Sequence, residues 1–328
     1  ACTVHRLIYQ SQTVEQEVEV NGKKVKVERL IFRRRDSIDK SIRLIVLDEA
    51  SMVSDDMLLD ILNFGVKVLL CGDNAQLPPV EGFNTYLKNP DYTLTQIVRQ
   101  QEDNPIIRLS QLAREGKFVP YGSYGDKAFV LNGRRFTGAQ RARLLNKAEQ
   151  IICGLNSTRA KINDEVRAIR GYNGVLPQNG EKLICTYNNW EQYIDGEMRF
   201  NLVNGIIGTA IEPFYDIDQG MGFTQFRPDF LDENCPEALP FDIGIFENGH
   251  FRYKHGDYFA KFNEDGEAVG AFTLNRFEYG YCISCHKSQG SEFNSAIVFD
   301  ESYAFREDSP RWLYTAITRA KEKLIIIR

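Results

Sequence analysis

Five short runs of mainly branched apolar residues, several of them ending in polar groups, most constrain the fold of this chain. They do not alternate apolar with polar residues, which indicates strands buried on both faces, as in a parallel sheet. Helical patterns lie between them at 52–63, 104–115, 138–149 and 158–169. This alternation predicts α/β layers, which bind ligands at the ends of their strands. The five runs are 42–49, 66–73, 150–155, 295–300 and 323–328.

Two stretches interrupt this alternation. Residues 14–33 alternate around Asn21-Gly22, a dipeptide typical of a tight hairpin turn because both of its positions need positive φ. A β-hairpin projecting from the α/β layers is therefore predicted there. Residues 171–275 are rich in Gly, Asn, Asp and aromatic residues, which predicts a small β-rich insertion. Its strand-like pieces are 182–187, 198–212, 251–262 and 268–274.

Composition narrows the class of protein. The chain has 328 residues, 43% hydrophobic and 26% charged, which suits two or three globular domains. No run of about 18 apolar residues exists, which excludes a membrane span in this sequence. Seven scattered cysteines favour a reducing compartment, and we predict a cytoplasmic location. The sequence starts at Ala1 without an initiator Met or a secretory signal, so we expect a chain that continues upstream.

Charge is unevenly distributed. The net charge of −5 provides no overall basic field for nucleic acid. Residues 21–43 and residues 134–170 each hold nine basic against three acidic residues, whereas residues 213–247 hold eight acidic residues and one Arg. A solvated face is the commoner meaning of a charge run, but two basic blocks permit a local anion-binding groove. The acidic stretch is either a protein-docking surface or a solvated loop.

One cysteine spacing matches patterns that are known to bind cofactors or metals. The run Cys282-Ile283-Ser284-Cys285-His286 matches the attachment pattern of c-type haem, and with His250 and His255 a zinc site can also be drawn. An export signal and a distal haem ligand are not evident, and the separation is unlike that of common zinc fingers. We interpret the spacing as coincidental.

Polar groups follow two of the apolar runs. Asp48-Glu49-Ala50-Ser51 ends the first run, and two adjacent carboxylates can hold Mg²⁺ and activate a water. The alternative is a strand that enters a helix with Asp or Ser as its cap. Gly72 to Val80 follows the next run, and its Gln76 could sense a phosphate or orient a water, although a proline-stiffened loop is also consistent. One helix and one strand separate the two loops, which predicts that both lie at the same sheet edge.

Basic and polar groups recur later in the chain. Arg99 and Arg319 lie in distant segments, and each is either a surface residue or a fixed cation for a transferring phosphoryl group. The run from His286 to Glu292 precedes another apolar run. It is either a turn or a set of donors for a nucleic-acid backbone, with Glu292 able to accept from a ribose hydroxyl.

Taken in this order, the segments resemble superfamily 1 helicases of the RecD and phage Dda type. They extend from residue 3 to residue 319, nearly the whole chain, and their order makes the set specific. Thr3-Val4-His5 resembles a short Thr-Ile/Val-His element, and Leu155-Asn156 followed by Asn163 resembles the element that opens the second motor domain. The other matches are Asp48 to Met52 with the Walker B box, Gly72 to Val80 with the third motif, Arg99 with the fourth, His286 to Glu292 with the fifth, and Tyr314 to Arg319 with the sixth.

The resemblance implies an α/β protein of two RecA-like lobes of the P-loop NTPase class with ATP between them. A truncated first lobe would span 1–98, with a strand-separating pin inserted at 10–41. The second lobe would comprise 99–170 and 276–328, interrupted by an SH3-like β-barrel at 171–275.

The resemblance also implies roles for individual residues. Asp48 would coordinate Mg²⁺, Glu49 would activate the attacking water, and Gln76 would couple the γ-phosphate to the DNA site. Further residues would bind the nucleotide: Arg99 and Arg319 as arginine fingers, with Gly290 and Glu292, the latter at the sugar. The residues expected on the DNA side are Thr3, His5, Asn156, His286, Lys287 and Ser288.

One element of the family pattern is missing from the 328 residues. Gly-Lys occurs only at Gly22-Lys23 and Gly116-Lys117, where Lys24 and Phe118 follow, so neither is a Walker A loop. We therefore expect the chain to be the part C-terminal to the P-loop, and expect it to hydrolyse ATP negligibly by itself.

The function implied is an ATP-dependent 5′→3′ DNA helicase, similar to the alpha subunit of exodeoxyribonuclease V and serving DNA repair or recombination. Its cofactors would be ATP and Mg²⁺. Its partners would be single-stranded DNA and junctions of single and double strands, with protein partners in recombination or replication and no membrane. The alternative is a non-catalytic nucleic-acid-binding or regulatory module derived from a helicase. This alternative is disfavoured because a module without ATP has no use for the whole set of Asp48, Glu49, Gln76, Arg99 and Arg319.

Overall fold

The chain divides into two compact units. A computed structural model describes residues 3–20, 23–79, 82–94, 104–218, 220–247, 259–262, 268–272 and 274–328. Contacts group Ala1–Glu102 with Tyr258–Phe272 in the first unit, and Asp103–Asp257 with Thr273–Arg328 in the second.

The first unit carries the long hairpin that the sequence predicts. A short helix, α1 (Val4–Ile8), leads into β1 (Tyr9–Val20), which pairs antiparallel with β2 (Lys23–Arg34). The pairing runs from Tyr9 opposite Arg34 to Val20 opposite Lys23, which leaves a two-residue connection. The hairpin is confirmed, while its Asn21-Gly22 turn lies outside the described residues.

A parallel strand pair forms the rest of this unit. β3 (Leu44–Leu47) and β4 (Lys67–Leu70) are joined through α2 (Asp55–Leu62), whose N-cap is Ser54. Ile45 and Leu47 are buried with the apolar side of α2 and with Ile8 of α1. The expectation that these strands are buried on both faces is wrong for this pair. Their other face is about half exposed at Leu44, Val46 and Leu69, since the apolar cluster covers one side only.

The second unit contains a six-stranded sheet in the order β17-β7-β18-β19-β6-β5, parallel except for the edge strand β5. Its central strands fall on the predicted apolar runs, and all residues of β7 are buried. A mixed α/β fold is thus confirmed. The strands are β5 (Gly122–Tyr124), β6 (Ala128–Leu131), β7 (Gln150–Cys153), β17 (Cys282–Ser284), β18 (Phe293–Phe299) and β19 (Ala320–Ile327).

Helices flank this sheet close to the predicted positions. Thr137 and Gln140 form a capping box at the start of α4, in which each side chain bonds the other residue's backbone N–H. The sequence patterns predict three of the helices, and α7 and α8 are additional. The helices are α3 (Pro105–Arg114), α4 (Gly138–Asn146), α5 (Asn156–Ile169), α7 (Cys285–Ser288) and α8 (Ser309–Ile317).

Four strands of a five-stranded antiparallel sheet lie within the predicted β-rich region 171–275, and its fifth strand, β16, lies just after that region. Its order is β13-β12-β11-β8-β16, and its aromatic core includes Phe226, Phe241 and Phe277. The strands are β8 (Lys182–Cys185), β11 (Ile207–Asp216), β12 (Met221–Pro228), β13 (Leu239–Asp242) and β16 (Phe277–Tyr279). Short accompanying elements are β9 (Asn189–Tyr193), β10 (Asn201–Leu202) and α6 (Gly244–Glu247).

Part of the predicted insertion groups with the first unit instead. β14 (Phe259–Phe262) and β15 (Ala268–Phe272) form a separate antiparallel pair, and β15 lies against β2 of the hairpin. Among the described residues, no helix is both long and apolar enough to cross a lipid bilayer.

Candidate functional site

In the first unit, the carboxylates of Asp48 and Glu49 lie where β3 ends. Asp48 is exposed, and its Oδ1 accepts from the backbone N–H of Glu49 at 2.9 Å. Glu49 adopts a left-handed conformation (φ 49°, ψ 41°), which few residues other than Gly adopt without strain. α2 is capped by Ser54, so neither Asp48 nor Ser51 serves as its cap. The strand end does lead into a short 3₁₀ turn at Ala50–Met52, but without a side-chain cap, so only the capping part of the structural alternative is wrong.

The loop after β4 lies directly against this strand end. The backbone N–H of Ala50 donates to the carbonyl of Cys71 at 2.9 Å, and that of Cys71 donates to the carbonyl of Leu47 at 2.8 Å. Gly72 follows, and a Cβ there would approach the backbone nitrogen of Ser51 to 3.1 Å and Cδ1 of Leu87 to 2.9 Å. Glycine therefore permits the contact. The prediction that both loops lie at one sheet edge is confirmed.

Two buried oxygen atoms in these loops have no hydrogen-bond partner in the part of the chain described. They are Oγ of Ser51 and Oε1 of Gln76. The backbone of Gln76 is fixed, because its N–H donates to the carbonyl of Asp73 at 3.1 Å. A buried acceptor without a donor costs about 1–3 kcal/mol, so such atoms commonly mark a place for water or ligand.

The predicted DNA-side residues of the first unit lie on α1. Thr3 is its N-cap, and Oγ1 of Thr3 accepts from the backbone N–H of Arg6 at 3.3 Å. His5 is exposed, with its ring centroid 5.8 Å from that of Tyr9 at the start of the hairpin. Thr3 therefore shapes the helix, while His5 remains accessible.

In the second unit, Arg319 is almost fully buried just before β19. Its Nε donates to the carbonyl of Thr315 at 3.0 Å, its Nη1 to the carbonyl of Ser291 at 3.1 Å, and its Nη2 to Oγ1 of Thr318 at 3.1 Å. Strands β18 and β19 begin side by side, which brings the Ser291 loop to this guanidinium. The arginine therefore joins the two sequence motifs.

Two further nucleotide-side candidates lie in the same loop. Gly290 has a φ of 75°, and open space surrounds the position of its missing Cβ, so the backbone conformation rather than packing requires glycine. Oε2 of Glu292 lies 3.2 Å from Nζ of Lys321. Glu292, Gly290 and Arg319 thus share the edge at which β18 and β19 begin.

The opposite edge, where the parallel strands end, carries the other group of candidates. His286 and Lys287 follow β17 in α7, and Asn156 is the exposed first residue of α5, directly after β7. Burial lowers the pKa of His286, against a smaller opposite effect of Asp308. Burial, reinforced by the charge of Arg159, lowers the pKa of Lys287 to about 8.

Ser288 is expected on the DNA side, but the structure buries it. Its side chain is fully buried, and its hydroxyl donates to the carbonyl of Cys285 at 2.7 Å. A direct contact with DNA is not available in this arrangement, so the residue fixes α7. Asn163 has a similar positioning role, since its amide exchanges hydrogen bonds of 3.0 and 2.8 Å with the backbone of Cys282.

α7 and the turn after it run from one edge of the sheet to the other. They leave the carboxyl end of β17, cross beside β7 and enter the amino end of β18. His286 therefore lies near one edge and Glu292 at the other. The two groups of candidates are joined by one short segment.

The remaining candidates are three residues that the structure does not describe and two buried cysteines. Arg99, His250 and His255 lie outside the described residues. Cys282 and Cys285 are fully buried, and burial raises the pKa of both thiols. No cluster of three metal-ligating side chains occurs among the residues that the structure describes.

Sequence reasoning missed one anchoring group at the same edge. Oε2 of Glu301, after β18, accepts from the backbone N–H groups of Gly154 (2.9 Å) and Leu155 (2.8 Å), and its Oε1 accepts from the hydroxyl of Thr158. It thereby caps α5, whose own N-cap residue supplies no side-chain bond. An uncapped helix start was the available signal, but it could not identify so distant a partner.

Two family descriptions match parts of the chain. Residues 279–327 match the UvrD-like helicase C-terminal domain, and residues 1–134 match an AAA domain. The chain is 24% identical over 305 residues to the ATP-dependent RecD2 DNA helicase of Deinococcus radiodurans, covering 85% of this chain and 35% of that protein. It is 23% identical over 347 residues to the RecBCD enzyme subunit RecD of Buchnera aphidicola subsp. Schizaphis graminum, covering 92% and 56%. The chain thus spans roughly a third to just over half of the length of these relatives.

Solved structures share the fold. Pif1 helicase from Candida albicans superposes with a TM-score of 0.50 at 17% identity, covering 87% of this chain and 72% of that chain. Bacteroides Pif1 bound to single-stranded DNA gives a TM-score of 0.50 at 18% identity, covering 90% and 74%.

Proposed function

We propose that this chain is part of a RecD-like helicase of superfamily 1B, and that the whole protein couples ATP hydrolysis to 5′→3′ movement along single-stranded DNA and to duplex unwinding. The observation that carries this proposal is the direct contact between the Asp48-Glu49 strand end and the loop that bears Gln76. Two buried oxygens without partners lie in those loops.

The residues present fit ATP with Mg²⁺. Magnesium in nucleotide sites is typically held by one or two carboxylates together with substrate phosphates, so a larger cluster of protein ligands is not required. Asp48 would hold the ion, which when bound neutralises phosphate charge. Glu49 would accept a proton from the attacking water, and Gln76 would orient that water or the terminal phosphate.

Three residues of the second unit have the chemistry of nucleotide ligands: Arg319, Glu292 and Gly290. Arg319 supplies a permanently charged fork for phosphate, and we assign the same role to Arg99. Glu292 would accept from the nucleotide sugar, and the left-handed Gly290 would keep the loop backbone close to the nucleotide.

DNA would be held by the groups that the structure leaves accessible. We assign phosphate contacts to Lys287 and Asn156, and contacts with the strand to His5 and His286. The β1–β2 hairpin would separate the strands, and the antiparallel sheet of the second unit would serve as an SH3-like accessory domain. Affinity for DNA should fall steeply with added salt, because phosphate contacts release counterions.

The test is DNA-stimulated ATPase activity and unwinding of a forked duplex by the whole protein. Glu49→Gln should retain nucleotide binding but lower turnover by about 10²–10⁴-fold, because the variant lacks the general base. Shortening the hairpin should preserve ATPase activity stimulated by single strands and impair unwinding. Normal turnover in Glu49→Gln would contradict the catalytic assignment. Binding of DNA without any ATPase activity in the wild-type protein would instead favour the non-catalytic module.

A further inference from the structure

A chain of aromatic rings lies at the carboxyl edge of the six-stranded sheet. The segment 302–308, which follows β18 and precedes α8, contains Phe305. The ring of Phe305 stacks on that of Trp312, with centroids 5.5 Å apart and planes inclined by 19°. On its other side it contacts His286, with centroids 5.8 Å apart. Trp312 is fully buried, so the rings are anchored in the core.

Tyr303 stands out in this segment because it is exposed. It lies two residues before Phe305, and 73% of it is accessible to solvent. A single exposed apolar side chain is ordinary on a protein surface. This one differs in its position, which follows the carboxyl end of β18 on the same sheet edge as His286 and Asn156.

The backbone around Tyr303 is held firmly. Before it, Glu301 accepts two backbone N–H bonds from the start of α5. After it, Arg306 adopts φ 48° and ψ −112°, a conformation that favours glycine. Strained residues persist where the surrounding structure fixes them, and they cluster at ligand-binding segments. The strain and the anchoring together hold the backbone that bears Tyr303 in one conformation.

The charged residues in and around segment 302–308 indicate which part of a nucleic acid it can bind. Three of the carboxylates around it are engaged, since Asp300 pairs with Arg328 at 2.6 Å, Asp308 with Arg311 at 3.1 Å, and Glu301 with α5, whereas Glu307 is exposed. The segment thus offers an aromatic face rather than a cluster of cations for phosphate. A nucleobase is the part of DNA that stacks on such a face, and base–aromatic stacking tolerates any sequence. Bases in a duplex are stacked on each other, so the strand must be single.

We infer that Tyr303, exposed two residues before the anchored Phe305 at the carboxyl edge of the second-unit sheet, is a base-stacking residue for single-stranded DNA. The inference rests on the proposed function and adds a site for the base to the residues assigned to the backbone.

The test is fluorescence anisotropy of a labelled single-stranded oligonucleotide of about 15 nucleotides, a length within known site sizes, titrated with the 328-residue chain. Tyr303→Ala and Tyr303→Leu should each raise Kd about tenfold, since stacking needs an aromatic ring. Tyr303→Phe should bind like wild type. The slope of log Kd against log salt should stay unchanged, because phosphate contacts are retained.

Controls make the result specific. Phe214, another exposed aromatic residue of the same unit (55%), lies on β11 of the antiparallel sheet and provides the matched variant, and Phe214→Ala should bind like wild type. An abasic oligonucleotide should bind wild type and Tyr303→Ala equally. Thermal unfolding midpoints verify that every variant is folded, as expected for an exposed position.

The possible negative results distinguish a failure of the stacking inference from a failure of the proposed function. If Tyr303→Ala binds like wild type, or if its loss persists with the abasic strand, the stacking inference is overturned while the helicase proposal stands. If the wild-type chain does not bind single-stranded DNA at all, the inference and the DNA-binding part of the proposed function both fall.

Discussion

Nη1 of Arg319 donates a hydrogen bond of 3.1 Å to the carbonyl oxygen of Ser291, although the two residues lie in separate sequence motifs. With its other two bonds, to Thr315 and Thr318, this guanidinium fixes the loop that also contains Gly290 and Glu292. A residue assigned to phosphate thereby also sets the geometry of the loop assigned to the nucleotide sugar.

Arg319→Lys should therefore destabilise the chain even without nucleotide. One ammonium cannot reach all three acceptors, and buried acceptors without donors cost about 1–3 kcal/mol. We expect the free energy of unfolding to fall by about that amount, measured by denaturant titration. The exposed Arg135 provides the matched control, and Arg135→Lys should change nothing. Equal stability of Arg319→Lys and wild type would show that the hydrogen bonds contribute little.

Gly72→Ala should separate the loop after β3 from the loop after β4. The added Cβ would meet Cδ1 of Leu87 at 2.9 Å and the backbone nitrogen of Ser51 at 3.1 Å. Overpacking of this kind costs about 1–3 kcal/mol, and in the whole protein it should also lower ATPase activity. Gly138→Ala is the control, since nothing lies within 4 Å of a Cβ there. An unaffected ATPase activity in Gly72→Ala would argue against the assigned contact.

DNA affinity should depend on pH through Lys287. Its pKa of about 8 means that the side chain loses its charge as the pH rises from 7 to 9, so binding to phosphate should weaken over that range. Arg159, Glu278 and Cys185 face this lysine, and Glu278 lies 3.8 Å from its Nζ. Lys287→Arg, which stays charged, should flatten the pH dependence measured by anisotropy at constant ionic strength.

The contribution of Lys287 to the free energy of unfolding should rise with pH, whereas its contribution to DNA affinity should fall. The folded pKa of Lys287 lies below its usual value of 10.5, so the unfolded chain binds the proton more strongly. Between about pH 8 and 10.5 the contribution of Lys287 to the free energy of unfolding should therefore rise with pH. The difference in the free energy of unfolding between wild type and Lys287→Met, measured by denaturant titration over this pH range, isolates the contribution of Lys287 from that of other groups. A difference that is constant with pH would mean that the lysine pKa is not depressed.

Local patterns in the sequence predict most of the parallel strands, the meeting of two loops and the hairpin. Unbroken apolar runs predict β3, β4, β7, β18 and β19, and strand ends predict that the Asp48 and Gln76 loops meet. The Asn21-Gly22 signal predicts the hairpin because turn geometry is a local property. Each of these inferences depends on neighbours in sequence or on the parallel order of strands.

Other features arise from packing between distant segments and have no local signature. The bond from Arg319 to Ser291 requires β18 and β19 to be adjacent, and the capping of α5 by Glu301 requires β18 to lie beside β7. The burial of Ser288 follows from α7 packing against α8. The grouping of β14–β15 with the hairpin was not foreseen, because the strand-like pattern alone gives no pairing partner.

Arg306→Gly should stabilise the chain. Arg306 holds φ 48° and ψ −112°, and strain of this kind costs a non-glycine residue about 1–3 kcal/mol. Glycine adopts the conformation freely but loses about 0.5–1 kcal/mol through its more flexible unfolded state. A net gain of about 1 kcal/mol in the free energy of unfolding is expected from denaturant titration. Arg306→Ala removes the same side chain but keeps the strain, and it should show no gain. If both variants are stabilised equally, the effect comes from the lost side chain rather than from the backbone.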